Sequence, residues 1–453
     1  MAADAASFVG SVVRQTSLDL DLSRYVSRDE HLPINADERG VVGTAATAMS
    51  LITYIVGAGV LALPKLYSTV GIPFGLFLTV AGCCTSMYLC CILSDAVGVI
   101  QTATKKRMRT LEDVGGACYG ELGRRVTGIL INSRIIGKLA VYFVLIGQNL
   151  AFLRSPPMYR GWVVLGSGFF MTLAFVRNVK TLQKVAFLGV ICSGMYLIMI
   201  VLGSIEAQKL NLSEGTDFLR LTGIDRSELL PAVSVMLFCF GPTTVIGNLR
   251  NNMAHQEHMS VAIISSHTAV AIFYAIAASL GFYSFGAGVA DDITQSMISG
   301  GVKWMAGYLL AASVVCKLVV SIPIDLYCLF ANIEASYPHD APMHKGLNVA
   351  CRLGVVCFCG LVGLALPFFM QVLEIYCALL VVPVVVWMPL TFAHKAAVDT
   401  GIPRSQLVRC FDGFLFLLGV ACMILGLYKS LTGFAEAYRT DEDAANPFAQ
   451  RWF

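Results

Sequence analysis

Eleven mostly apolar stretches dominate this chain, at about 44–66, 71–94, 127–153, 161–176, 185–205, 229–249, 260–285, 303–331, 347–366, 370–392 and 411–431. Roughly 20 apolar residues suffice to cross a bilayer as a helix. None of the stretches alternates polar and apolar residues as a barrel strand would. Backbone groups in lipid must pair internally, so the expectation is an all-α membrane protein with 11 transmembrane helices. The fourth stretch is short and the eighth long enough to tilt strongly. Composition agrees, with 57% hydrophobic and 13% charged residues. A soluble domain carries about 25% charged residues.

Orientation follows from lysine and arginine. With a cytoplasmic N-terminus, 18 of these residues fall inside and 10 outside, the side counted as lumen in a vacuole-like compartment. That excess favours a cytoplasmic N-terminus, in a plasma or vacuole-like membrane. The expected division is a disordered cytoplasmic tail at 1–43, a first five-helix repeat at 44–205 and a non-cytoplasmic loop at 206–228. A second repeat follows at 229–392, then a cytoplasmic loop and helix eleven at 393–431 and a tail at 432–453. The first forty residues hold seven acids and four arginines and no apolar signal-peptide core. The fifteen cysteines are scattered through apolar segments and read as small buried hydrophobes.

Two segments are built to break. "TYIVGAGVLALPK", 53 to 65, places Gly57 and Gly59 mid-span and Pro64 a turn or so later. Proline lacks a donor and clashes with the preceding turn. "MLFCFGPTTVIGNL", 236 to 249, places Gly241-Pro242 in the middle of segment six. Non-helical backbone at membrane depth is tolerated only where it is buried in protein or lines a cavity. Interrupted segments at matching places in two halves point to a transporter site. Segments one and six are five apart, which fits an inverted 5+5 repeat with one extra helix.

"GAGVLALPK" followed by "GIPFG", 71 to 75, resembles the opening of the amino acid/auxin permease family, within the amino acid–polyamine–organocation superfamily. "LEDVGGACYGELGRR", 111 to 125, is similar to that family's loop after the second helix. "YFVLIGQNL", 142 to 150, and "FCFGPTTVIGNLRNNM", 238 to 253, resemble its third and sixth helices. The resemblance covers roughly residues 44 to 430. It implies the fold of the bacterial leucine transporter, alternating access and amino-acid cargo. Where the family often has asparagine, this chain has Thr53, which offers no amide oxygen for a sodium site.

For a zwitterionic cargo, the carboxylate needs donors and the amino group acceptors. The N–H groups around Gly57, Ala58 and Gly59 suit the first role, with Thr53 and Val56 beside them. Carbonyls around Phe238, Cys239, Phe240 and Gly241 suit the second. Tyr142 is placed to cap the carboxylate or to pack as an aromatic. Nothing acidic lies in either break, which favours neutral amino acids.

Charges inside spans are costly and mark function. Lys317 shares a face of segment eight with Ser313 and Ser321, and Asp325 lies two turns on. The implied fold sets segment eight against segment one, so the Lys317 ammonium can stand where a sodium ion would and couple transport to protons. Alternatively it braces carbonyls without titrating, or pairs with Asp325 or Glu374. Arg134 and Lys138, one turn apart on segment three, read as a face that lines an inner vestibule or meets carboxylates, with Arg134 snorkelling to the cytoplasm. His267 is the single histidine within a span.

The leading reading is a secondary active transporter of amino acids, proton-coupled or sodium-independent, with H+ rather than Na+ as coupling ion unless the protein is a uniporter. An amino-acid sensor on the same fold, signalling through its N-terminal tail, is the alternative. No phosphate-cradling loop is present. No catalytic constellation, metal site, cofactor, nucleic-acid partner or obligate protein partner is implied; the surroundings are membrane lipid.

Overall fold

The computed structural model describes residues 42–108, 110–152, 159–175, 179–210, 216–219, 226–300, 304–335, 344–366, 368–401 and 404–443. The expected N-terminal tail and much of the 206–228 loop lie outside these residues. The first apolar segment forms α1 (Thr44–Ile55), a 3₁₀ turn (Ala58–Ala62) and α2 (Leu63–Val70). Next come α3 (Ile72–Thr104), α4 (Leu111–Phe152), α5 (Tyr159–Leu173) and α6 (Val179–Gln208). Segment six is α7 (Arg226–Cys239) and α8 (Thr243–Asn252). Then follow α9 (Met259–Phe285), the short α10 (Ile293–Ser299), α11 (Trp304–Ala335) and α12 (Lys345–Ala365). Segment ten is α13 (Phe369–Tyr376), two π-helical stretches (Cys377–Val381 and Pro383–Trp387) and α14 (Met388–Thr400), and α15 spans Gln406–Asp443.

Among the described residues, nine helices are long and apolar enough to cross a membrane. The α1 pair with Ala58–Val70, bent by 48°, makes a tenth. The remaining expected segment, α5, has 15 residues. At 1.5 Å per residue it measures about 22 Å, short of a bilayer core of about 30 Å. Large apolar side chains that stay exposed, such as Phe77 on α3, Leu361 on α12 and Leu417 on α15, belong on a lipid-facing surface. All fifteen cysteines are free thiols.

Two boundaries differ from expectation. The 111–125 stretch, read as a loop, is the start of α4. Thr110 and Asp113 cap it reciprocally: the Thr110 N–H donates to Asp113 Oδ2 and the Asp113 N–H to Thr110 Oγ1, each 3.2 Å. The helix kinks at Tyr119-Gly120, where Gly120 has φ +65°, a left-handed conformation that glycine adopts without a Cβ clash. At the other end, α15 continues to Asp443, into the expected C-terminal tail.

Candidate functional site

The two interruptions meet. α1 stops at Ile55, Val56 and Gly57 are extended, and helical backbone resumes at Ala58. In segment six, α7 stops at Cys239 and α8 starts at Thr243, leaving Phe240, Gly241 and Pro242 between them. A Cβ on Gly59 would lie 2.5 Å from Cys239 Sγ and 3.2 Å from the Phe238 ring. Only a residue without a side chain lets these backbones approach so closely. A Cβ on Gly57 would instead meet only Ile55 O at 3.8 Å and the Tyr142 hydroxyl at 3.9 Å. The space beside Gly57, in front of Tyr142, is therefore the roomy side of the break. A 3₁₀ turn leaves its first N–H groups without intrahelical partners, so Ala58 and Gly59 present donors there.

The carbonyls are less available than the sequence suggested. The Tyr274 hydroxyl of α9 donates to Ile55 O at 2.9 Å and stands 3.5 Å from Cys239 O. The Tyr196 hydroxyl of α6 donates to Gly57 O at 3.0 Å. Ser86 of α3 donates to Phe240 O, and the Gly241 N–H donates to Phe238 O at 3.2 Å. Arg134 Nη2 donates to Gly241 O at 2.7 Å. The carbonyls around Phe238, Cys239 and Phe240 expected to accept the amino group therefore already have neighbours. Lipid offers no partner for a freed carbonyl, so neighbouring hydroxyls fill the vacancy. Each such oxygen keeps a second lone pair for an incoming donor.

Arg134, Lys138 and Tyr142 line one face of α4 at four-residue spacing. Arg134 does not snorkel: it is buried at the segment-six break, and its Nη1 also donates to Thr244 Oγ1 at 3.1 Å. Thr244 further bonds the Tyr54 hydroxyl at 2.9 Å, linking α1 to α8. Lys138 Nζ meets Asp325 Oδ1 at 2.7 Å and lies 5.3 Å and 5.6 Å from the Tyr54 and Tyr142 ring centres. This charge, ring and carboxylate arrangement neutralises Lys138 in place.

The expected ion-coupling group disperses. α11 packs chiefly on α6 and α4 rather than on α1. Lys317 therefore points toward Gly189 of α6, where a Cβ would be 3.6 Å from its Nζ. Among the described residues the Lys317 ammonium makes no hydrogen bond or ion pair. Ser313 and Ser321 donate to carbonyls of their own helix, Leu310 O and Lys317 O. Thr53 likewise folds back on Met49 O. Asp325 is taken by Lys138, and Glu374 accepts from Ser430 of α15. His267 bonds Ser86 Oγ at 3.1 Å and Ile263 O at 2.9 Å, so it steadies the serine that caps Phe240. A small pocket lined by Asp95, Thr400 and Arg404 lies at the C-terminal ends of α3 and α14, away from the breaks.

Ser86, Arg134, Tyr196, Tyr274 and His267 complete the site, and none of them was an expected cargo residue. Tyrosines in apolar runs look like packing aromatics until the breaks supply acceptors for them.

Two interrupted helices, packed break to break inside a bundle of apolar helices, define a polytopic membrane protein of the leucine-transporter type. The inward-facing conformation of Mhp1 shares the fold, with a TM-score of 0.58 at 12% identity over 89% of this chain and 92% of that one. The chain belongs to the transmembrane amino acid transporter protein family, whose model matches residues 41–432. It is 20% identical over 352 residues to the amino acid transporter AVT1B of Arabidopsis thaliana, covering 74% of this chain and 61% of the relative. It is 21% identical over 350 residues to the vesicular inhibitory amino acid transporter of Homo sapiens, covering 73% and 64%. The chain thus spans less than two thirds of the length of these two curated relatives.

Proposed function

We propose that this protein is a secondary active transporter that carries amino acids across a membrane by alternating access. The observation that carries the reading is the contact of Gly59 with Cys239 and Phe238, which brings both helix interruptions to one point. In this reading there are eleven spans in an inverted 5+5 repeat, with the N-terminus cytoplasmic, in a plasma or vacuole-like membrane. The cargo carboxylate lies on the N–H groups of Gly57, Ala58 and Gly59 beside Tyr142. The amino group takes the second lone pairs of the segment-six carbonyls. The relatives, named as amino acid transporters, support the cargo class. The Arg134 guanidinium at the segment-six break favours neutral over cationic amino acids.

Coupling to protons, or sodium independence, fits the filled carbonyls: the Tyr196 and Tyr274 hydroxyls occupy oxygens that a sodium ion would need. Lys317 and Asp325 are the groups proposed to exchange the proton. Asp325 keeps one buried oxygen without a partner among the described residues.

The test is uptake of the twenty amino acids into reconstituted vesicles under imposed proton or sodium gradients. Concentrative uptake of neutral amino acids driven by a proton gradient, or gradient-independent exchange, is the expected result. Uptake that strictly requires sodium contradicts the coupling, and absence of any flux contradicts transport.

One observation favours the second reading, a sensor. Val42, where the N-terminal tail begins, pairs with the chain after α8: its N–H donates to Asn252 O and its carbonyl accepts from the Ala254 N–H, both 3.0 Å. A change at the segment-six break would thereby reach the tail. A sensor would bind amino acids without appreciable turnover.

A further inference from the structure

Segment ten leaves the α-helix where it passes the breaks. α13 ends at Tyr376, and the π-helical stretches follow at once. The first packs on α7 and the second on α8, so the widened turns flank the interruption. π-helical turns are rare and recur at functional sites. The Tyr376 ring stands edge-on to Phe238, with centroids 5.5 Å apart at 84°. It also lies against Gly137 of α4, where a Cβ would come within 2.6 Å of the ring. Tyr376 is 4% exposed, yet among the described residues its hydroxyl has no hydrogen-bond partner. A buried hydroxyl left bare is unfavourable unless a further molecule pairs with it. Arg134 Nε and Thr243 Oγ1, at the same break, are buried and unpartnered too.

We propose that Tyr376 is a specificity-determining cargo contact, its hydroxyl donating to an amide oxygen at the end of the cargo's side chain. This rests on the reading of the two breaks as an amino-acid site. The cargo backbone is held at Gly57 and Tyr142. Phe238 touches both the Gly59 break and the Tyr376 ring, and the proposal sets the end of the cargo's side chain at the Tyr376 hydroxyl. A cationic side chain is disfavoured there by Arg134. A carboxylate would need the guanidinium fork, which is already committed to Gly241 O and Thr244. An amide asks only for single donors and acceptors, which Tyr376, Arg134 Nε and Thr243 supply.

The experiment compares Tyr376→Phe with wild type in vesicle uptake of glutamine and asparagine against methionine and leucine. KM for the amides is expected to rise about tenfold with kcat unchanged, while KM for methionine and leucine moves less than about twofold. An equal change for all four, no change for any, or a wild type that carries methionine and leucine but no amide overturns the proposal. Ligand-induced shifts in the melting temperature of the purified protein give the same comparison without flux. If wild type binds but does not transport, the carrier reading falls, and loss of the amide-specific shift in Tyr376→Phe still decides the contact. If none of the four binds, both fall. Should the phenylalanine variant not fold, Tyr376→Met replaces it with the same outcomes.

Discussion

Gly59→Ala is expected to reduce amino-acid uptake to below about a tenth of wild type, equivalent to about 1.4 kcal/mol. The added Cβ would sit 2.5 Å from Cys239 Sγ, with the Phe238 ring at 3.2 Å. Both Gly59 and Cys239 are buried, so the breaks must separate to admit it. Overpacking of this kind costs about 1–3 kcal/mol. Here the cost falls on the contact between the two helix interruptions. Cys239→Ala removes the obstructing sulfur, so the double variant should recover uptake to within about twofold of wild type, a coupling that independent sites would not show. Initial rates in proteoliposomes, with quantified protein per vesicle, make the measurement. Wild-type uptake by Gly59→Ala at an unchanged melting temperature would contradict the close packing.

The second large effect concerns the ion pair of Lys138 and Asp325, whose side chains are 17% and 11% exposed. Breaking a buried pair by removing one partner costs about 3–5 kcal/mol, because the other charge is left uncompensated. The two single variants should not be equal. Asp325→Leu removes the carboxylate while Lys138, Lys317 and Arg134 remain. Lys138→Met leaves Asp325 within the field of Lys317. Asp325→Leu is therefore expected to lower the melting temperature in detergent further than Lys138→Met. The double variant should lie above Asp325→Leu, since apolar replacement of both partners is often close to neutral. Equal losses for the two single variants, or a double variant worse than either, would contradict this account of the pair.

The interruptions are legible in the sequence because glycine and proline act on the backbone itself. Gly57, Gly59, Gly241 and Pro242 mark the places where the helices stop, whatever surrounds them. What fills the break is decided by elements distant in the chain and leaves no local mark. Tyr196 and Tyr274 look like any aromatics of apolar runs, and Ser86 like a small polar residue at a helix contact. The position of Arg134 near a segment end suits snorkelling, whereas its actual partner is a carbonyl freed by the break 107 residues later in the chain. The resemblance offers a place for Lys317 beside the first break, whereas the packing of α11 on α6 turns it toward Gly189. The π-helical stretch of segment ten has no periodicity that distinguishes it from an ordinary apolar helix. The 111–125 motif reads as a loop through the family resemblance and its four glycines, whereas the Thr110–Asp113 cap starts a helix there.

Cys239 lies at the point of contact between the breaks and offers a direct test of where the cargo sits. In a variant with Cys239 as its only cysteine, the rate of alkylation by a membrane-permeant maleimide can be followed with and without the best-transported amino acid. A cargo held between the breaks should slow labelling of Cys239 at least about fivefold at saturation. An unchanged labelling rate, in a variant that still transports that amino acid, would show that the cargo passes elsewhere.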